Sequence, residues 1–324
     1  MAHTPPCTEP IALAEIRAAK ARIAGAAIRT PLVRLPMDDA PAEIFLKLEN
    51  LQPVGSFKIR GASNAIALAP RAALERGVWT ASAGNMAQGV AWQARQLGLQ
   101  CTVLVPDHAP STKLAALDRL GARVRKLPFA DWFEILRSHE FPGMDGLFIH
   151  PVSDPAVMAG NGTIGLEILE DLPEVDAVLV PYGGGGLSCG IASALVALRP
   201  GTQVFACEVE TAAPLAASLA AGKACSVPYV ASFVDGIGSP FVLPDMWPLV
   251  QRLIAGSIVM PVAAVADAVR LMVERQHVVA EGAGATPVAA ALSGRAGTGK
   301  LVCVVSGGNL DPGKLATILR GEIP

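Results

Sequence analysis

The residue of this sequence with the most chemistry in reach is a lysine set among small and apolar neighbours. In Val54-Gly55-Ser56-Phe57-Lys58-Ile59-Arg60-Gly61-Ala62 the ε-amine of Lys58 can be desolvated. A desolvated lysine gives up its proton and becomes a nucleophile that forms Schiff bases with carbonyl compounds. The plainer reading is a solvated lysine at a helix start. Other segments must supply the rest of a pocket before the first reading stands.

Three segments do so. Val175-Asp176-Ala177-Val178-Leu179-Val180-Pro181 reads as a buried parallel strand; Gly183, Gly184, Gly185 and Gly186 follow, and residues 187–198 read as an alanine- and leucine-rich helix. A strand, a glycine run and a helix N-terminus form a phosphate cradle, because the first N–H groups and the helix dipole attract an anion and glycine lets the backbone approach it. The run fits neither Gly-x-x-x-x-Gly-Lys-Ser/Thr nor Gly-x-Gly-x-x-Gly, which points away from nucleoside triphosphates and dinucleotides and towards a smaller phosphorylated cofactor. Ser82-Ala83-Gly84-Asn85-Met86, after the strand-like Val78-Trp79-Thr80, opens a helix and suits a carboxylate. Ser306-Gly307-Gly308-Asn309 offers one hydroxyl at the end of the run Leu301-Val302-Cys303-Val304-Val305. Each loop taken singly is ordinary turn chemistry. Together they describe a pocket for an aldehyde cofactor with a phosphate, a ring nitrogen and an amino-acid adduct.

The elements that must hold these loops alternate. Short apolar runs at 78–81, 101–106, 177–180, 204–209 and 301–305 are separated by amphipathic stretches at 87–97, 112–120 and 187–198. This βαβα order predicts an α/β fold with parallel sheets between helices and ligands at the carboxyl ends of strands. Residues 77–146 form one βαβα unit and are expected to be a small domain carrying the carboxylate loop, with residues 1–76 and 147–324 as the large one. At 324 residues and 52% hydrophobic content the chain can bury a large core. A net charge of −2 carries no electrostatic footprint for nucleic acid or an anionic membrane. No run approaches the ~18 apolar residues of a membrane span, and the start lacks a signal-peptide pattern. These features predict a soluble cytoplasmic protein. Cys7, Cys101, Cys189, Cys207, Cys225 and Cys303 have no metal-site spacing and are expected to be reduced, several in the core.

In combination, residues 56–62, 82–85, 183–187 and 306–309 resemble the fold type II pyridoxal-phosphate enzymes, and within them the threonine/serine dehydratases and serine racemases. The resemblance runs from about Ile28 to Leu310 and includes Leu46-Lys47-Leu48-Glu49-Asn50, His150-Pro151, residues 159–163, Asp235-Gly236 and residues 281–284. It implies the two-domain, three-layer, tryptophan synthase beta-like fold, pyridoxal 5'-phosphate as cofactor, a small amino acid as substrate and a homodimer. It makes Lys58 the Schiff-base lysine and the base for the substrate's Cα proton, and places Phe57 against the cofactor ring. Asn85 would bond the ring's 3'-oxygen, Gly183 to Leu187 would hold the phosphate, and Ser306 would face the ring nitrogen. Ser82, Ala83, Gly84, Asn85 and Met86 would bind the substrate. A neutral hydroxyl opposite the ring nitrogen makes a milder electron sink, which favours β-elimination.

Departures from the family pattern refine this reading. Serine racemases carry a second serine, an acid/base on the opposite cofactor face, where this chain has Ala83. Loss of that donor disfavours racemisation and leaves dehydration of a 3-hydroxy-L-amino acid to a 2-oxo acid and ammonia. Threonine dehydratases also have alanine there, but their loop continues Asn-His, whereas this one reads Asn85-Met86. The more apolar thioether, with Phe129, Trp132, Phe133 and Val152, leaves room for a bulkier substrate such as 3-phenylserine; the alternative is that these aromatics are helix core. No extra cationic residue stands out for a second substrate carboxylate. The family's divalent-cation pair of Glu and Asp reduces here to Glu208, with Pro214 at the second position, so a cation site would rest on Glu208 with carbonyls near Ala212, or on Glu210 in its place; the simpler reading is a solvated acidic strand end. The chain ends at Pro324, soon after the Ser306 loop, which predicts no C-terminal regulatory domain and a catabolic role. Racemisation, β-replacement and non-catalytic cofactor binding are the alternatives.

Overall fold

The computed structural model describes residues 8–324; Cys7 lies outside the described residues. Among these, ten strands form two sheets: β1 Leu32–Arg34, β2 Glu43–Lys47, β3 Val78–Ala81, β4 Cys101–Pro106, β5 Arg123–Leu127, β6 Leu147–Phe148, β7 Ala177–Pro181, β8 Gln203–Val209, β9 Gly256–Met260 and β10 Lys300–Val304. The larger sheet has the order β1-β2-β10-β7-β8-β9 and the smaller β5-β4-β3-β6. Only β1, at an edge, runs antiparallel to its neighbour; all other pairs are parallel. Parallel strands need crossover connections that cover both faces, so the central β3 and β7 are buried at every residue and appear in the sequence as near-continuous apolar runs. The edge strand β5, Arg-Val-Arg-Lys-Leu, is exposed at all but its last residue. Among the described residues no helix is long and apolar enough to cross a membrane.

One hydrophobic core lies between the large sheet and helices Pro155–Asp171 and Gly186–Leu198. A second lies on the opposite face under helices Val262–Gln276 and Gly282–Leu292. A third joins helix Lys58–Leu68, helix Asn85–Gln96 and the small sheet. Cys101, Cys189, Cys207 and Cys303 are buried thiols and Cys225 is half-buried.

The helix that begins at Lys58 is wedged between helices Asn85–Gln96 and Pro155–Asp171. Its crossing with the latter is a backbone contact: a Cβ on Gly160 would stand 2.4 Å from the Arg60 carbonyl oxygen, and one on Gly61 would stand 2.6 Å from Val157. Only glycine permits this approach.

Behind the helix start lies a buried set of four charges, each side chain at most 4% exposed. The Arg60 guanidinium donates to both Glu49 oxygens at 2.8 Å and to Glu167 at 2.7 and 2.9 Å, while Lys47 Nζ donates to Glu167 and to the Thr30 carbonyl at 2.6 Å. Burial alone drives the Glu49 carboxyl up, but the charge and hydrogen bonds of Arg60, with the Thr30 hydroxyl, outweigh it and hold Glu49 below its ordinary pKa. Burial lowers the pKa of Lys47, and Glu167 opposes the shift. Two cations against two carboxylates leave no net buried charge. Removing one partner leaves the others uncompensated. The expected outcome for Arg60→Met is a loss of ~3–5 kcal/mol in urea unfolding. The double variant Arg60→Met with Glu49→Gln should lose less than the single one, because one orphaned carboxylate is removed with its partner.

Candidate active site

The carboxyl ends of β3, β4, β7 and β10 converge on a cavity of ≈ 330 Å³ between the two sheets. Its wall contains every cofactor and substrate residue expected from the sequence: Phe57 and Lys58, the loop from Ser82 to Met86, the run from Gly183 to Leu187, and Ser306. These segments are bonded to one another directly. Ser56 pairs with Gly307 in an antiparallel bridge, Phe57 N–H donates to the Ser306 carbonyl at 3.0 Å, and Gly308 N–H donates to the Gly55 carbonyl at 2.9 Å. The lysine loop and the β10 loop therefore reach the cavity as one paired unit.

Lys58 is half-buried as a residue, but its amine is inside the cavity, where Nζ donates to the Pro151 carbonyl at 2.7 Å and lies 5.1 Å from the centre of the Phe57 ring. Desolvation lowers its pKa to about 8, against a smaller opposing pull from Glu281. Two helices start at the wall with no side-chain cap: Gly186–Leu198 after Gly185, whose φ of 98° only glycine adopts readily, and Asn85–Gln96 after Gly84. First-turn N–H groups of this kind suit an anion. At the first of these starts, a Cβ on Gly184 would stand 2.6 Å from Val152 and one on Gly186 would stand 2.4 Å from the Val152 carbonyl oxygen. A cradle lined by bare backbone, a desolvated amine, and the nearly buried Ser306 at a strand end together fit a phosphorylated aldehyde.

Three residues that sequence reasoning left without a role also line the cavity. Glu281 accepts from Asn85 Nδ2 at 2.7 Å, while Asn85 Oδ1 accepts from Asn309 Nδ2 at 2.8 Å. Both ends of the Asn85 amide are thereby held. Burial, reinforced by the charge of Asp235, raises the Glu281 pKa to about 7, with Asn85, Lys113 and Lys58 opposing. Lys113, on helix Ser111–Arg119, pairs with Asp235 at 3.0 Å across the cavity. Lys113, which the sequence did not single out, reaches the wall because this helix starts at the carboxyl end of β4, and its charge is met by Asp235. The one signal that could have found Glu281 is an acidic residue isolated between apolar stretches at a glycine-rich helix start.

Of the aromatics considered for the substrate side, Trp132 lines the cavity and donates Nε1–H to the Leu104 carbonyl at 3.1 Å. Phe129 is outside and exposed, and Phe133 packs edge-on against Phe241 with centroids 5.1 Å apart. Met86 lines the wall and is 1% exposed. Glu208 is not among the residues that line the cavity, and both its oxygens are used: they accept from the Leu215 and Ala216 N–H groups and the Ser257 hydroxyl, at 2.9, 2.8 and 2.5 Å. It holds the start of helix Pro214–Ala221, and Glu210 accepts from Val262 N–H. Among the described residues no group of three or more His, Cys, Asp or Glu is placed to hold a metal ion. A larger groove of ≈ 650 Å³ between Arg17, Leu166 and Leu198 is open to solvent and contains none of the residues above.

The fold and cavity define a fold type II enzyme, and the chain belongs to the pyridoxal-phosphate dependent enzyme family, whose pattern it matches over residues 23–307. It is 42% identical over 283 residues to L-threonine ammonia-lyase of Geobacter sulfurreducens, covering 86% of this chain and 70% of that one. Over 320 residues it is 38% identical to the catabolic L-threonine dehydratase of Escherichia coli, covering 95% and 96%. Maize serine racemase superposes with a TM-score of 0.87 at 34% identity, over 95% of this chain and 96% of that one.

The raised Glu281 pKa gives a signed expectation for the cofactor-free chain. Between pH 4.5, the ordinary carboxyl value, and about 7, the folded state keeps a proton that the unfolded state has lost. Stability should therefore fall as pH rises through this window, by at most ~1.4 kcal/mol per pH unit. Urea unfolding of wild type and Glu281→Gln at pH 5 and pH 7.5 checks it. A wild-type-minus-variant difference that is the same at both pH values would remove the titration from Glu281.

Proposed function

We propose that this chain is a pyridoxal-phosphate-dependent ammonia-lyase that dehydrates a 3-hydroxy-L-amino acid of threonine or serine size to a 2-oxo acid and ammonia. The observation that carries the reading is the asymmetry of the cavity: Lys58 offers a base on one side, and the facing loop has Ala83 where a second proton donor would be needed to rebuild the opposite configuration. The names of two relatives, an L-threonine ammonia-lyase and an L-threonine dehydratase, support the same reaction class.

Bound in the glycine cradle, the cofactor supplies an aldehyde for exchange with amines and a ring that withdraws electrons from the substrate's Cα. The protein's part begins with the substrate carboxylate, which the Ser82 hydroxyl and the uncapped first turn of helix Asn85–Gln96 receive. With a pKa near 8, the Lys58 amine takes the Cα proton at little cost near neutral pH. Asn85, held at both ends by Glu281 and Asn309, would have its second amide hydrogen left for the ring oxygen of the cofactor. The C–O bond at Cβ then breaks and the hydroxyl leaves as water, its added proton balanced by the one that the Lys58 amine took from Cα, so that the amine ends neutral. The released 2-amino-2-alkenoic acid tautomerises to an imine, and addition of water gives the 2-oxo acid and ammonia.

Cavity size supports a small side chain. About 330 Å³ is at the lower end of ligand pockets, and the cofactor takes most of it. Trp132 narrows what is left, and Asp235 already neutralises Lys113. This favours threonine and serine over 3-phenylserine or 3-hydroxyaspartate. The two separate sheets support a division close to the one expected, a small domain at 77–146 and a large one from 1–76 with 147–324, with the boundary moved past residue 148 because β6 pairs with β3 in the smaller sheet. A homodimer, as the resemblance implies, in the cytoplasm, as the sequence pattern predicts, completes the reading, and sedimentation analysis tests the dimer.

Two measurements test the function. Wild type with pyridoxal 5'-phosphate should develop a visible absorbance band that borohydride locks onto Lys58, and Lys58→Ala should lose both the band and ammonia release. In a substrate panel, kcat/KM for L-threonine or L-serine should exceed that for 3-phenylserine by more than about tenfold, ~1.4 kcal/mol of transition-state discrimination. Better turnover of 3-phenylserine would overturn the size assignment. D-serine outrunning pyruvate from L-serine, or cysteine formed on adding sulfide, would overturn the reaction class.

A further inference from the structure

Strand β6 runs into Ile149-His150-Pro151-Val152-Ser153, and this short loop touches two working parts of the cavity. The Pro151 carbonyl accepts the Lys58 amine at 2.7 Å. Val152 is the wall against which the glycine cradle packs, with its side chain facing Gly184 and its carbonyl facing Gly186 closely enough to exclude a Cβ at either position. The loop has no regular secondary structure, so something else must hold it.

That element is the His150 ring, which is 3% exposed. Its Nδ1 faces the backbone nitrogens of Val152 at 3.1 Å and Ser153 at 2.8 Å, and the Ser153 hydroxyl at 3.0 Å; its Nε2 faces the Leu136 carbonyl at 3.2 Å. These partners assign the tautomer. Two N–H donors converge on Nδ1, so Nδ1 is an acceptor, and the ring proton is on Nε2, donated to Leu136 O. Leu136 is in the last turn of helix Phe129–Ser138, where carbonyls lack helical partners. An imidazolium would set its own N–H against two others. Burial, followed by the charges of His139 and, more weakly, Lys58, depresses the His150 pKa to about 3, which keeps the ring neutral. His139 stacks on it, centroids 4.2 Å apart and planes 16° from parallel.

We propose that His150 is a positioning residue: a neutral imidazole that accepts two backbone N–H groups at Nδ1 and so fixes both the Pro151 carbonyl that holds the Lys58 amine and the Val152 wall of the phosphate cradle. Whenever the amine is not engaged elsewhere, Pro151 O takes one of its hydrogens and keeps the nitrogen within the cavity. The inference rests on Lys58 being the point of cofactor attachment.

Paired substitutions separate the two ring nitrogens. In His150→Asn an amide oxygen can occupy the Nδ1 position and accept the Val152 and Ser153 N–H groups. In His150→Gln the longer side chain reaches the Nε2 position and can donate to Leu136 O, but no acceptor remains at Nδ1. Pyridoxal 5'-phosphate affinity by absorbance titration, and the rate of borohydride-trappable attachment at Lys58, should stay within about threefold of wild type in His150→Asn. Both should weaken by about tenfold or more in His150→Gln, the scale of lost buried hydrogen bonds. Equal behaviour of the two variants, good or bad, overturns the proposal. A measurement without any substitution guards against misfolding: nitrogen NMR of the wild-type holoenzyme at neutral pH should show Nε2 protonated and Nδ1 bare, and the opposite tautomer or an imidazolium overturns it equally. The wild type separates this failure from that of the functional reading. If wild type binds the cofactor without attachment at Lys58, the functional reading fails. If wild type attaches it and His150→Gln does so as well, only the role of His150 fails.

Discussion

The start of helix Lys58–Leu68 is anchored from behind by Arg60, whose guanidinium grips Glu49 and Glu167 with four charge-assisted hydrogen bonds inside the protein. Arg60 is two residues from Lys58, so its fork sets the position of the first helical turn and with it the direction in which the lysine leaves. The contacts join the loop after β2 to helix Pro155–Asp171, which also meets the lysine helix through the Gly160–Arg60 backbone contact. A planar, permanently charged donor suits this task better than lysine would, because both carboxylates are met in fixed geometry. Nearly everything in the cavity is referred to this anchored turn: the β10 loop pairs with the residues just before it, and the Pro151 carbonyl meets the lysine itself.

The same low-dielectric environment acts on the cavity's own ionisable groups with opposite signs. Burial lowers the Lys58 amine to about 8 and raises the Glu281 carboxyl to about 7, so both are driven towards their neutral forms. A charged amine there would be a poor base and a poor nucleophile; a neutral one is both. The two helix starts at the wall have no side-chain cap, and backbone N–H groups of this kind suit an anion without adding a buried formal charge. The one full ion pair in the wall, Lys113 with Asp235, keeps 26% and 38% of its side chains exposed, where solvation is retained.

Much of this was legible in the residues. Near-continuous apolar runs marked the central parallel strands because those strands are buried on both faces, and the small-residue loops after β3, β7 and β10 carried a combination of types that few pockets share. The edge strand β5 escaped for the converse reason: four of its five residues are exposed and charged or isolated, so no periodicity marks it. Lys47 and Glu49 stood in a segment that resembled the family, yet nothing local told that they meet Arg60 and Glu167, which come from other parts of the chain. Glu208 looked like half of a cation site by position, but its neighbours in space are the N–H groups of a helix start.

What the sequence determined by itself was therefore chemical identity: which loop can cradle a phosphate, which lysine can react with an aldehyde, and which proton donor is missing at Ala83. Such properties belong to residue types and to spacings of a few positions. Tertiary structure alone decided ionisation and partnership. The pKa of Lys58, the pairing of Glu281 with Asn85 and that of Lys113 with Asp235 depend on desolvation and on groups far apart along the chain, brought together only by the packing of the two sheets; the tautomer of His150 is set by nearer partners, Val152, Ser153 and Leu136, that its loop and the preceding helix bring within reach.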